Sequence, residues 1–103
     1  MNLVTNVYSL LEGFPSDEKY GLKIQISKAA ISIPSNIAEG SSRRSEKEYY
    51  RFIEIALGSS FELETQLLIS LNLRFGDQTL LKSLLDQISE IQRMLSGFMN
   101  KLM

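Results

Sequence analysis

Cysteine, histidine and tryptophan are all missing from the 103 residues, and proline occurs only twice, as Pro15 and Pro34. Without Cys or His there is no zinc finger, no Cys or His nucleophile–base pair, no haem-type ligation and no disulfide. An enzyme would be left with an all-oxygen metal site or a carboxylate–hydroxyl mechanism. A dominant charge sign is also lacking. Eleven Lys plus Arg stand against twelve Asp plus Glu, for a net charge of −1. That balance argues against a uniformly basic nucleic-acid coat, though it leaves room for a local basic face. No apolar run approaches the roughly 18 residues of a membrane span. No basic-then-apolar signal peptide opens the chain, so the expected location is cytoplasmic.

What remains is an ordinary globular composition, 44% hydrophobic and 22% charged, too apolar for disorder. The length supports one domain over residues 1–103. Three breaks punctuate it: Gly13-Phe14-Pro15-Ser16, Gly40-Ser41-Ser42-Arg43-Arg44-Ser45 and Arg74-Phe75-Gly76-Asp77. Each of the four segments between them has a helical period. The first, about Asn2 to Glu12, aligns Leu3, Val7, Leu10 and Leu11 on one face, and Gly13 is placed to terminate it. Ser16 then reads as an N-cap, with Asp17 and Glu18 complementing the positive end of a second helix from about Asp17 to Glu39. That helix carries Ile26, Ala29, Ala30, Ile33 and Ile37 at helical spacing, leaving Lys19, Lys23 and Lys28 to solvent. Pro34 removes one N–H and crowds the carbonyl of Ala30, so one bent helix is expected.

Ser45-Glu46-Lys47-Glu48 is a capping box. It opens a third helix that runs through Phe61, Leu63, Leu67 and Leu71 to about Leu73, with Gly76 as C-cap candidate and Asp77 as the next N-cap. The fourth segment spaces Leu81, Leu84, Ile88, Ile91, Leu95, Phe98 and Leu102 three and four apart, a heptad seam. Four helices with short connections make an all-α, antiparallel up-down four-helix bundle. The first helix spans roughly 16 Å and the third more than about 40 Å, so the short one cannot shield its partners along their whole length. An apolar strip left open in this way marks an association site, and a homo-oligomer is expected. The alternative is that the chain ends fold over the gap.

The stretch Ala30-Ile31-Ser32-Ile33-Pro34-Ser35-Asn36-Ile37-Ala38-Glu39-Gly40 is distinctive. It is followed by Glu48-Tyr49-Tyr50-Arg51-Phe52 and by the run from Ala56-Leu57-Gly58-Ser59-Ser60-Phe61 to Leu67. Together with Met94-Leu95-Ser96-Gly97 these resemble the bacterial four-helix-bundle family encoded in intervening sequences of 23S rRNA genes, also called the S23 ribosomal protein family. Family members usually open with a longer first helix bearing an apolar-Val-Trp element, and nothing before Val4 corresponds to it. The resemblance implies a ring-like homopentamer. It also implies a distant relationship to the accessory protein of diversity-generating retroelements, a basic pentameric bundle that binds reverse transcriptase and nucleic acid. It brings no catalytic activity, cofactor, metal or small-molecule substrate.

Two groups of residues stand out as candidate sites. The polar cluster at Pro34, with Ser35, Asn36 and Glu39, either satisfies backbone groups freed by the proline and fixes the junction with the third helix, or forms a small recognition pocket. Arg43, Arg44, Lys47 and Arg51 make the densest basic group. Lys47 and Arg51 share a helix face, and Tyr49 and Tyr50 between them are placed to stack on an unpaired base. The same charges also read as a solvated loop answered by Glu46 and Glu48.

Three further features read as structural. Glu54, Glu62 and Glu64 lack the His of carboxylate-bridged metal bundles and are expected to form salt bridges. Gly58, Ser59 and Ser60 are expected to permit close helix approach, and Met94, Phe98, Met99 and Met103 to fill core or interface. The function expected is a non-enzymatic homo-oligomeric scaffold binding RNA or an RNA-associated protein through the basic face, with Tyr50 among the contacts. The alternative is a protein–protein adaptor whose apolar grooves receive a partner helix.

Overall fold

The computed structural model describes residues 2–17 and 21–102. Its helices are α1 (Asn2–Leu11), α2 (Leu22–Ser41), α3 (Glu46–Leu73) and α4 (Gln78–Leu102). Each packs on its neighbour in sequence and α1 closes against α4, so the four make an antiparallel up-down bundle. The molecule is 44 Å long and about half as wide, which matches the roughly 42 Å that a 28-residue α3 spans.

The periodic residues form the core as their spacing requires. Leu3, Val7, Leu10 and Leu11 of α1 are buried, as are Ile26, Ala29, Ala30 and Ile33 of α2 and Leu81, Leu84 and Ile88 of α4. With Leu63 and Leu67 of α3 they make one large cluster. A second, smaller cluster of Ile53, Ala56 and Leu95 lies further along the bundle, with Tyr49, Phe98, Met99 and Leu102 packed on it. At about 15 Å, the 10-residue α1 covers the first cluster alone.

Helix ends follow local chemistry in two places. The Ser45 hydroxyl accepts from the Glu48 N–H at 3.1 Å, and one Asp77 carboxylate oxygen accepts from the N–H groups of Thr79 and Leu80 at 2.9 and 3.1 Å. Elsewhere the boundaries differ from expectation. Helix α2 starts at Leu22 behind Gly21, a left-handed N-cap with φ 65° and no side-chain cap, so Ser16 does not cap it. The intervening chain instead buries Phe14, whose ring meets Phe75 edge-on at 5.5 Å. Asp17 therefore stands outside the helix, and Glu18 and Lys19 lie outside the described residues.

At its other end α2 runs unbroken through Pro34 and past Glu39 to Ser41. Gly40 is thus a buried helical residue rather than part of the connecting loop. Helix α3 ends at Leu73 as expected, but its cap is Arg74, two residues before Gly76. Arg74 takes the left-handed conformation (φ 59°), its N–H bonding to the carbonyl of Leu71 and the next N–H, of Phe75, to that of Ser70. This is a Schellman closure built without glycine. Gly76, also at positive φ, serves the turn beneath α1, where a Cβ would lie 3.0 Å from Leu10 and Phe14 side-chain atoms.

Candidate nucleic-acid interface

The residues predicted to act together fall on different sides of the α2–α3 corner. Asn36 is half-buried, and its amide donates to the Ser32 carbonyl at 2.8 Å and to the Ser32 hydroxyl at 2.9 Å. The Ser32 hydroxyl in turn pairs with that of Ser59 on α3 at 2.7 Å. Asn36 thus belongs to a polar clasp between α2 and α3, in which Ser32 and Asn36 lie two residues to either side of Pro34. Ser35 is exposed, and Glu39 is exposed and ion-paired with Arg43 at 2.6 Å. Of the four, Asn36 is turned into this clasp while Ser35 and Glu39 are exposed to solvent.

Close approach at this corner is the work of a residue that sequence reasoning placed in a loop. A Cβ on Gly40 would lie 2.8 Å from both Phe52 Cβ and Tyr49 Cδ1, closer than side-chain carbons pack. Gly58, expected to serve that purpose, faces open space. Ser60 is buried with its hydroxyl donated to the Leu57 carbonyl at 2.6 Å. The Glu-Gly pair closing the α2 motif carried the missing signal: a glycine that ends an apolar stripe marks either a cap or a close crossing.

Among the cations, Arg43 is exposed but already engaged within the chain, held by Glu39 and stacked 4.9 Å over the Phe52 ring. Arg44, Lys47 and Arg51 are exposed. Lys47 and Arg51 sit one turn apart on α3, and with Tyr50 they line a shallow depression of about 430 Å³ whose wall also carries Ser45, Glu48 and Glu54. Tyr49 points the other way, its ring edge-on to Phe98 at 5.1 Å in the second cluster. Tyr50 is therefore the aromatic that accompanies these cations.

The glutamates of α3 do not gather. Glu64 accepts a 3.3 Å bond from the Gln92 amide of α4, a neutral partner where a salt bridge was expected. The ion pair between Arg43 and Glu39 is the only one between described residues. Among those residues no three His, Cys, Asp or Glu side chains are placed to hold a metal ion, and no helix is long and apolar enough to cross a membrane. Met94 stands exposed at the rim of the second cluster while Phe98 and Met99 pack into it, and Met103 lies outside the described residues.

The sequence matches the family model described as 23S rRNA-intervening sequence protein over residues 1–97. The fold is similar to the crystal structure of a protein of unknown function from the S23 ribosomal protein family of Bacteroides thetaiotaomicron. The TM-score is 0.80 and the identity 20%, over 95% of this chain and 88% of that one. No curated protein gives a significant sequence match.

Proposed function

The chain belongs to the 23S rRNA-intervening sequence protein family, and from that premise we propose that it is a non-enzymatic, self-associating scaffold that holds RNA at the α2–α3 corner. The observation that carries this reading is the exposed pair Lys47 and Arg51 with the half-buried Tyr50 around one depression, and the exposed Arg44 on the preceding loop. Cations one helical turn apart suit successive phosphates, and a tyrosine between them suits a stacked base. Glu48 and Glu54 in the same wall weaken a single copy of the site. Affinity then rests on several copies acting together, which self-association supplies.

The surface for self-association is the outer face of α3. There Phe61, Leu68, Ile69 and Leu73 are each about half exposed, a run of apolar side chains whose burial between copies is favourable. A pentameric ring is the arrangement taken from the family resemblance. It sets five basic corners around one axis.

Fluorescence anisotropy of the nuclease-treated protein with a structured RNA, titrated across salt, tests the proposal. Saturable binding is expected, with log affinity falling linearly in log salt. Replacing Arg44, Lys47 and Arg51 by Gln should flatten that slope while the helices and the sedimenting mass are retained. An unchanged slope removes these residues as the phosphate contacts.

A further inference from the structure

The turn that joins α3 to α4 holds a polar depression of about 460 Å³, lined by Leu71, Asn72, Arg74, Gln78 and Lys82. It lies roughly 40 Å along α3 from Lys47, at the other end of the bundle from the α2–α3 corner. The two depressions differ in charge. Glu48 and Glu54 stand in the wall at the corner, whereas no carboxylate of a described residue lines this one. Arg74, Lys82 and Asn72 are exposed, and among the described residues their side chains have no hydrogen-bond or ion-pair partner. Gln78 is half-buried, and its amide nitrogen donates to the carbonyls of Phe75 and Gly76 at 3.4 and 3.3 Å, which holds it against the turn. Asp77, beside this wall in the chain, is engaged in capping α4.

Arg74 stands there at a conformational cost. Among the described residues it alone, glycines aside, has a positive φ, at a helix end where glycine is the ordinary occupant. The closure uses backbone N–H groups alone, so it does not call for an arginine side chain. A backbone held against its preference points to a use for the side chain it carries.

We propose that this depression binds the phosphate group of a phosphomonoester. Two unpaired cations with no acid in the wall match a dianion, the charge that a phosphomonoester approaches at neutral pH and a diester does not. The Arg74 guanidinium can grip two phosphate oxygens, Lys82 supplies a point charge from the next helix, and the Asn72 amide adds a neutral donor. A small phosphate ester and the phosphorylated end of an RNA strand both present this group. The site is separate from the α2–α3 corner and does not rest on the reading of that corner.

NMR titration of the full chain, read at the side-chain amides of Asn72 and Gln78, tests the proposal. Adenosine monophosphate should shift both saturably, and cyclic adenosine monophosphate, a diester with the same base and sugar, should bind roughly tenfold more weakly. Arg74→Gly and Lys82→Gln should each weaken the monophosphate by a similar factor, the first without lowering the unfolding temperature. Lys47→Gln combined with Arg51→Gln should leave its affinity unchanged. An RNA hexamer with a terminal phosphate that binds more tightly than both its hydroxyl-ended twin and the mononucleotide assigns the site to an RNA end. A mononucleotide that binds as tightly as that hexamer assigns it to small esters. Equal binding of the two nucleotides, no saturable shift, shifts centred elsewhere, or an Arg74→Gly protein that binds like its parent overturns the proposal.

Discussion

The hydroxyls of Ser32 and Ser59 lie 2.7 Å apart across the seam between α2 and α3, joining residues 27 positions apart in the chain. The Asn36 amide braces the same Ser32 oxygen from one turn further along α2. Three short polar side chains thereby satisfy one another at a half-buried helix crossing, where an unpaired hydroxyl or amide is costly.

Removing the middle member should cost more than removing an end. Ser32→Ala breaks the bonds to Ser59 and Asn36 and should destabilise the protein by about 1–2 kcal/mol, against roughly 1 kcal/mol for Ser59→Ala. Urea unfolding of both single variants and the double variant measures the coupling. Strict additivity would show that the two hydroxyls do not interact.

Gly40→Ala is the sharper test of the same crossing. On an isolated helix that change stabilises by up to about 1 kcal/mol. Here the new methyl meets Phe52 Cβ and Tyr49 Cδ1 at 2.8 Å, and net destabilisation of about 1–3 kcal/mol is expected. A higher urea midpoint than the parent protein's would contradict the close packing.

The end of α3 should respond in the opposite sense. Arg74 holds a positive φ of 59°, a conformation that strains any side chain with a Cβ. Arg74→Gly should therefore raise stability by roughly 0.5–1 kcal/mol, less what glycine adds to the freedom of the unfolded chain. Thermal unfolding gives the sign directly.

Asp77 caps α4 with two N–H contacts from a single carboxylate oxygen. Asp77→Ala should cost about 1 kcal/mol, and Asp77→Asn much less, because the amide oxygen also accepts. Equal losses for the two would mean that charge at the helix terminus, and not the hydrogen bonds, does the stabilising.

Self-association has its own variant. Phe61 and Leu68 are i, i+7 on the outer face of α3 and half exposed, so Phe61→Glu with Leu68→Glu leaves the core untouched. Analytical ultracentrifugation should show the parent as an oligomer and this variant as a helical monomer. A parent that sediments as a monomer at micromolar concentration removes the avidity on which the RNA reading rests.

Much of the architecture was legible because it is written in local periodicity. The stripes Leu3-Val7-Leu10-Leu11 and Leu81-Leu84-Ile88 are buried where a 3.6-residue repeat puts them. Ser45 and Asp77 cap the helices that follow them, because a cap needs only residues within one turn. The errors share a cause. Ser16 has the chemistry of an N-cap, yet Phe14 is drawn into the core against Phe75 and α2 waits until Leu22. Gly76 has the freedom of a C-cap, yet Arg74 adopts the left-handed conformation two residues earlier.

The candidate site was legible in composition and illegible in allocation. A basic cluster at residues 43–51 was evident. That Glu39 and Phe52 engage Arg43, that Tyr49 turns to Phe98, and that Lys47, Tyr50 and Arg51 share a depression all depend on neighbouring helices.

By itself, then, the sequence determined four amphipathic helices and most of their ends. Tertiary structure decided that Gly40 rather than Gly58 lets α2 and α3 meet, and that Asn36 bonds Ser32 beside the Ser59 contact. It also decided that Ile37, Ile53 and Phe98 of three different helices line one groove beside Arg93 and Lys101. Periodicity and capping are properties of one helix and a few adjacent residues, whereas a clash, a clasp or a groove exists only once two helices have a fixed distance and rotation relative to each other.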